Sequence, residues 1–151
     1  MDWILFLKLV HIVSAVVAVG ANLTYAFWIG RAERDPAHLA WTIGTIRRLD
    51  NRIATPSYVV ILVTGLLMVF GGWFSFSTSW IQLAIGLYVL VVVVAVAAFA
   101  PTFRRQLAAA QADPRSAEYR ELARRSTIYG WLTTGIVLVI LYLMVFKPTL
   151  W

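Results

Sequence analysis

The sequence predicts an all-α, polytopic membrane protein built as a four-helix bundle, and three observations support this fold class. Of the 151 residues, 61% are hydrophobic and only 13% are charged, which differs strongly from soluble domains. Four apolar segments are each long enough to cross a bilayer: about 3–30, 55–74, 80–103 and 127–146. The connecting segments, 31–54 and 104–126, hold most of the charges. We therefore expect residues 1–151 to form a single integral membrane domain.

The net charge of +6 belongs to the two connecting segments. Eleven of the 13 basic residues lie there: Arg31, Arg34, Arg47, Arg48, Arg52, Arg104, Arg105, Arg115, Arg120, Arg124 and Arg125. Because positive loops stay in the cytoplasm, both segments are expected there, and both termini are expected outside. The arginines are explained by this topology and by contact with membrane lipids, so no nucleic-acid partner is expected.

One face of the first apolar segment is expected to point into the protein. Steps of three and four residues place His11, Ala15, Ala18, Asn22 and Tyr25 on the same side of a helix. Small residues allow another helix to approach closely, and the polar ones can form hydrogen bonds across the contact. The same small-residue faces predict either self-association or contact with a partner membrane protein.

The first connecting segment is predicted to contain a short amphipathic helix at the inner membrane surface. Asp35-Pro36 has the N-cap and first-turn proline of a helix start, and four apolar residues then recur at helical spacing: Leu39, Ile43, Ile46 and Leu49. A second cap and proline, Thr55-Pro56, predict that the next spanning helix begins there.

The remaining elements are predicted from similar signals. Trp73 and Trp80 flank the short outer hairpin and resemble an interfacial tryptophan belt. The third spanning helix is expected to continue past Pro101 into the second connecting segment, until Asp113-Pro114 starts another helix.

A weak internal repeat suggests two pseudo-symmetric helical hairpins. Three dipeptides recur at an offset of 77 or 78 residues: Trp3-Ile4 with Trp80-Ile81, Asp35-Pro36 with Asp113-Pro114, and Arg47-Arg48 with Arg124-Arg125. Such a repeat would be parallel and would pair His11 with Tyr88. Three short matches also arise by chance, so both interpretations stay open.

His11 is the strongest candidate for chemistry. Cysteine is absent, which excludes disulfides and thiolate metal sites, and the other histidine, His38, lies in the opposite connecting segment. A haem iron needs only one or two axial ligands from the protein. His11 could therefore bind this metal, with Tyr88, Tyr25, water or nothing as the second ligand. The alternative is that His11 only hydrogen-bonds to Ser14, Asn22 or another helix.

Two further polar residues accompany His11 as candidates for cofactor binding. Lys8 lies one turn from His11 on the same face, where it could pair with a haem propionate or simply extend toward the membrane interface. Asn22 lies deeper on the same stripe and could equally form an interhelical hydrogen bond.

Several short motifs resemble a known family. They are Trp3-x4-Lys8-x-x-His11, Gly20, Asp50-Asn51-Arg52 with Thr55-Pro56, Thr64-Gly65, and Met144-Val145-Phe146-Lys147-Pro148. Together they resemble a family of small bacterial integral membrane proteins of unknown function, which is similar to the CopD-like copper-resistance domain and the HemJ-like membrane protoporphyrinogen oxidases. The resemblance implies a bacterial inner membrane, and for the HemJ-like enzymes it implies haem binding through a helix-1 histidine, which corresponds to His11.

The chain departs from the HemJ-like enzymes at two places, which argues against protoporphyrinogen oxidation. Trp80-Ile81-Gln82 is followed by no lysine, and the segment from Asn22 to Trp28 replaces the aromatic, proline and arginine cluster of those enzymes. Two hypotheses follow. One is a haem- or porphyrin-binding membrane protein, with any activity being a haem-linked oxidoreductase. The other is a non-catalytic scaffold or small transporter subunit without a cofactor.

Overall fold

A computed structural model describes residues 3–151, and it confirms the all-α fold class. Four long helices account for most of this part of the chain: α1 (Trp3–Ala32), α2 (Pro36–Phe70), α3 (Ser79–Ala112) and α4 (Ala117–Phe146). Each helix is long and apolar enough to cross a membrane. At 1.5 Å per residue, helices of 30 to 35 residues exceed the hydrocarbon thickness of about 30 Å, so they extend beyond it.

Two of the helices pass through an internal proline without breaking. A π-helical segment, Asp50–Ala54, precedes Pro56 in α2, and another, Ala95–Phe99, precedes Pro101 in α3. A proline ring clashes with the carbonyl four residues earlier, and a wider π turn moves that carbonyl away. The prediction that α3 continues past Pro101 is therefore confirmed. An α-helical segment also begins at Thr55 as predicted, but it continues the preceding π segment instead of starting from a capped loop.

The first half of α2 leads without a break into its membrane-spanning half. Its start at Pro36 after Asp35 agrees with the sequence, although the Asp35 side chain caps no backbone amide. Its apolar stripe is buried inside the protein, where Leu39, Ile43 and Ile46 pack against residues of α1, α3 and α4: Ala32, Phe103, Ala109, Ala110 and Tyr119. The predicted short amphipathic helix that leads into the spanning helix is thus confirmed, but its apolar stripe is covered by other helices of the protein.

The last helix begins after a short turn that the sequence located three residues too early. Asp113 ends α3, and Ser116 caps α4 by accepting a 3.1 Å hydrogen bond from the Tyr119 backbone amide. Asp113 instead accepts the backbone amide of Arg115 within the turn. The Asp113-Pro114 pair therefore marks the turn rather than the start of α4.

The opposite end of the bundle is closed by the α2–α3 turn and the C-terminal tail. Helix α2 ends at Phe70 with Gly71 as its C-cap, a few residues before the end of the apolar segment at about 74. Gly72 adopts a positive φ of 79° that suits glycine. Trp73 is 43% exposed, as an interfacial residue should be. Trp80 is only 7% exposed because it packs edge-on against Phe74, so its predicted place in a tryptophan belt is wrong.

The helices pair as two hairpins, α1 with the second half of α2 and α3 with α4. The predicted inward face of α1 is confirmed, since Ala18 is completely buried and the other stripe residues are partly buried. Apolar residues on the outer faces, such as Val16 and Val96, are well exposed and suited to lipid. Within residues 3–151, the π segments lie in α2 and α3. A parallel repeat would pair α1 with α3 and α2 with α4, so the π segments do not lie at equivalent positions of the two hairpins.

Candidate functional site

The imidazole of His11 is held by the second membrane-spanning helix of its own hairpin. Its Nδ1 atom lies 2.9 Å from the hydroxyl oxygen of Thr64 on α2. The side chain of Thr64 is almost completely buried, whereas His11 is half-buried. A polar side chain at this depth of an apolar helix requires such a partner, because facing lipid would cost several kcal/mol.

The hydrogen bonds of Thr64 determine the tautomer of His11. The threonine hydroxyl has one proton, and it lies 2.6 Å from the carbonyl oxygen of Val60, to which it donates. With its proton directed at Val60, the hydroxyl accepts from His11, which assigns the proton of the neutral imidazole to Nδ1. The lone pair of Nε2 is then available to accept a proton or to coordinate a metal.

Gly65 gives the imidazole ring its space. A Cβ atom at this position would lie 3.3 Å from Cε1 of His11 and 3.8 Å from Nδ1, so the ring rests directly on the glycine backbone. The Thr64-Gly65 pair, which contributed to the family resemblance, thus acts as a unit. Threonine anchors the nitrogen and glycine permits the close approach of α1 and α2.

Two lysines converge at the same end of the bundle as His11. The Nζ atoms of Lys8 on α1 and Lys147 after α4 each lie 5.6 Å from the centre of the Phe74 ring. Lys147 reaches this position at the C-cap of α4, where it adopts a left-handed conformation with φ of 47°. The sequence singled out both lysines but gave no signal that Phe74 would bring them together.

Asn22 and Tyr88 belong to a second polar group, which we call the tyrosine network: Asn22, Tyr58 and Tyr88. The Asn22 amide donates to the Tyr58 hydroxyl at 2.6 Å, and the Tyr88 hydroxyl donates to the Tyr58 carbonyl at 2.9 Å. This network joins α1, α2 and α3 and therefore links the two hairpins. The sequence did not predict Tyr58 as the central member of this network, although Tyr58 lies only six residues before Thr64.

The structure separates the four predicted site residues into two groups. Asn22 lies eleven residues after His11 on α1, which corresponds to about 16 Å along the helix axis. Lys8, by contrast, lies about 4.5 Å from His11 along that axis, toward the end where Lys147 lies. The side chains of Asn22 and Tyr88 are already engaged with α2, whereas Nε2 of His11 keeps its lone pair.

Tyr25 is the last member of the polar stripe of α1. Its buried hydroxyl makes no hydrogen bond among residues 3–151. In the same part of the chain, histidine and carboxylate side chains form no group of three or more that could hold a metal ion.

A known protein family matches this chain. No curated protein and no solved structure matches the chain. The family described as "Predicted integral membrane protein (DUF2269)" matches residues 5–148, which is nearly the whole sequence. The chain belongs to this family of integral membrane proteins.

Proposed function

We propose that the protein binds haem or a related metalloporphyrin and that Nε2 of His11 supplies an axial ligand. The observation that carries this proposal is the bond from His11 to Thr64, because it leaves the lone pair of Nε2 free and fixes the ring. Metal-binding histidines in proteins commonly hold their other nitrogen in this way. A porphyrin supplies the remaining four nitrogen ligands itself.

The two lysines near Phe74 support the same proposal. Lys8 and Lys147 each place an ammonium group against one aromatic ring, and Lys8 lies one turn from His11. Haem carries two propionates, which need cationic or polar partners when the porphyrin enters an apolar environment. When bound, an iron porphyrin would supply one-electron redox chemistry. The protein residues bind and orient it, and the apolar helix surfaces exclude water.

The roles of Asn22 and Tyr88 in this proposal are indirect. Both are hydrogen-bonded within the tyrosine network, about three helical turns from His11 in the case of Asn22. They would fix α1 and α3 against α2 and so keep the histidine in place. Either residue would have to leave its present partner to contact a porphyrin.

A second candidate function is a non-catalytic scaffold or small transporter subunit without a cofactor. It is favoured by the observation that both His11 and Asn22 find partners within the chain, Thr64 and Tyr58. In that case the His11–Thr64 bond serves only to pack α1 on α2. The expected partner helix for the polar stripe is then α2 itself rather than a helix of another protein.

Visible absorption spectra of the detergent-purified protein test the first candidate. The oxidised and dithionite-reduced forms should show a Soret band that disappears in His11→Ala and weakens in Thr64→Val. Thr133→Val is the matched control, because within the described part of the chain the Thr133 hydroxyl bonds only to backbone carbonyls of its own helix. A colourless wild-type protein, still colourless after haem supplementation, would favour the second candidate.

We also place the protein in a bacterial inner membrane with both termini outside the cytoplasm. The support is the arginine content of one end of the bundle, which holds 11 of the 13 basic residues. Self-association is supported by open space around outward-facing glycines, among them Gly86 on α3 and Gly135 on α4. Crosslinking in native membranes would test it.

A further inference from the structure

The arginine-bearing end of the bundle contains a cleft of about 670 Å³, which we call the extension cleft. It lies between the α1–α2 junction on one side and the first three turns of α4 on the other. Its floor is apolar and includes Leu39 and Ala123, and Ile128 lies where α4 becomes continuously apolar. The cleft is therefore polar at its outer end and apolar toward the membrane.

The charges that line the extension cleft do not neutralise one another. Arg115 and Arg120 line it, and among residues 3–151 neither has a carboxylate within 4.0 Å. Glu33 lines the same cleft and has no basic nitrogen within 4.0 Å in the described part of the chain. A third arginine, Arg124, is already paired with Glu121 at 3.1 Å. Within residues 3–151, the cleft thus offers two cations and one anion that have no ion-pair partner.

Glu33 is held in place by a buried residue. The hydroxyl of Tyr119, a side chain only 4% exposed, donates a 3.1 Å hydrogen bond to Oε1 of Glu33. This bond fixes one carboxylate oxygen and leaves the other for a ligand. Arg120 is also oriented, since one of its terminal nitrogens donates to the carbonyl oxygen of Arg115 at 2.9 Å.

We propose that the extension cleft binds a headgroup that carries both a phosphate and a primary amine, as in phosphatidylethanolamine. The phosphate pairs with Arg115 and Arg120, for which guanidinium groups are well suited. The ammonium donates hydrogen bonds to Glu33. The glycerol and acyl chains leave past Ile128 into the membrane, where basic clefts between helices commonly bind phospholipids.

This arrangement predicts selectivity among lipids. A phosphatidylcholine headgroup has no N–H to donate to Glu33, and phosphatidylglycerol has no ammonium. A hydrogen bond to a charged group contributes on the order of 1.5 kcal/mol, which corresponds to about a tenfold difference in binding. Phosphatidylethanolamine should therefore bind about tenfold more tightly than either of the other two lipids.

Native mass spectrometry of the detergent-purified protein with equimolar dioleoyl lipids of the three classes tests the proposal. Glu33→Gln should abolish the preference for phosphatidylethanolamine while phospholipid binding persists. Arg115→Gln with Arg120→Gln should weaken binding of all three lipids. The matched control is Arg104→Gln with Arg105→Gln, because both residues are exposed and lie outside the cleft.

Two results of this lipid comparison would overturn the proposal. One is equal retention of the three lipids by the wild-type protein, and the other is a preference that survives in Glu33→Gln. Tyr119→Phe provides a second variant if Glu33→Gln does not fold, since it releases the carboxylate without removing its charge. In a separate sample, water-soluble glycerophosphoethanolamine is added to the lipid-bound protein. If this compound displaces the lipid at a concentration similar to that of the lipid, the ligand is a soluble molecule and the lipid is excluded.

Discussion

His11 and Thr64 are 53 positions apart in the sequence, yet they form the 2.9 Å hydrogen bond that joins α1 to α2 within the apolar part of the bundle. The same threonine hydroxyl donates to the backbone carbonyl of Val60. His11 thus donates to Thr64, and Thr64 donates to Val60. The same two hydrogen bonds therefore stabilise the hairpin and set the tautomer of the histidine.

Thr64→Val should destabilise the hairpin, because it leaves the Nδ1 proton of His11 without an acceptor. Interhelical hydrogen bonds in membrane proteins contribute about 1 kcal/mol, so the melting temperature should fall by about 3 °C. Thermal unfolding in detergent at a constant scan rate measures this change. Thr133→Val should have a much smaller effect, and an equal loss in both variants would show that the interhelical bond is unimportant.

Gly65→Ala should move the imidazole ring. Its Cβ would lie 3.3 Å from Cε1 of His11, and the ring cannot recede without lengthening the bond to Thr64. We expect a lower melting temperature and, if a cofactor is present, a shifted absorption band. Gly30→Ala is the control, because a Cβ there meets open space and alanine favours the helix by about 1 kcal/mol. A stabilised Gly65→Ala would contradict the close packing.

Two tyrosine-to-phenylalanine changes should have opposite effects on stability. The Tyr25 hydroxyl is buried without a partner among residues 3–151, so Tyr25→Phe removes an unsatisfied group and should leave the melting temperature unchanged or raise it. The Tyr58 hydroxyl accepts from Asn22 at 2.6 Å, so Tyr58→Phe should lower it by about 3 °C. Parallel thermal melts provide the comparison, and a loss in Tyr25→Phe would indicate a partner for its hydroxyl.

The predicted topology can be measured with single cysteines, since the natural sequence contains none. Ser75 lies in the α2–α3 turn and Ala37 lies at the arginine-bearing end, and both are exposed. Ser75→Cys should react with a membrane-impermeant maleimide in spheroplasts, whereas Ala37→Cys should react only after permeabilisation. The reverse pattern would place the arginines outside and contradict the positive-inside assignment.

Hydrophobicity and helical periodicity were sufficient to predict the four spanning helices and the inward face of α1. Bilayer thickness and the spacing of His11, Ala18 and Asn22 depend only on local sequence, so they can be obtained without coordinates. The partners of this face could not be predicted, because any polar residue on the other helices could have met His11. Thr64 is selected by the packing of α1 on α2.

The incorrect predictions share a physical cause. Thr55-Pro56 and Asp113-Pro114 both have the composition of a capped helix start. A π turn joins the helical segment at Thr55 to the preceding helix, so Thr55 is not a cap, and Ser116 caps α4 beyond Asp113-Pro114. Trp80 has the composition of an interfacial residue, but Phe74 covers it. In each case a local signal was overridden by contacts or backbone geometry that a linear pattern does not contain.

The π segment of α2 also sets the angular phase between its two halves. From Ile46 to Tyr58 the inward-facing positions recur every four residues, and an ideal α-helix would let such a series drift by about 40° per step. The wider turn at Asp50–Ala54 absorbs that drift. Deleting a single residue there would rotate Thr64 by about 100° relative to the buried stripe of Leu39, Ile43 and Ile46. The π segment therefore keeps the buried stripe of the first half of α2 and Thr64, the partner of His11, facing the same interior.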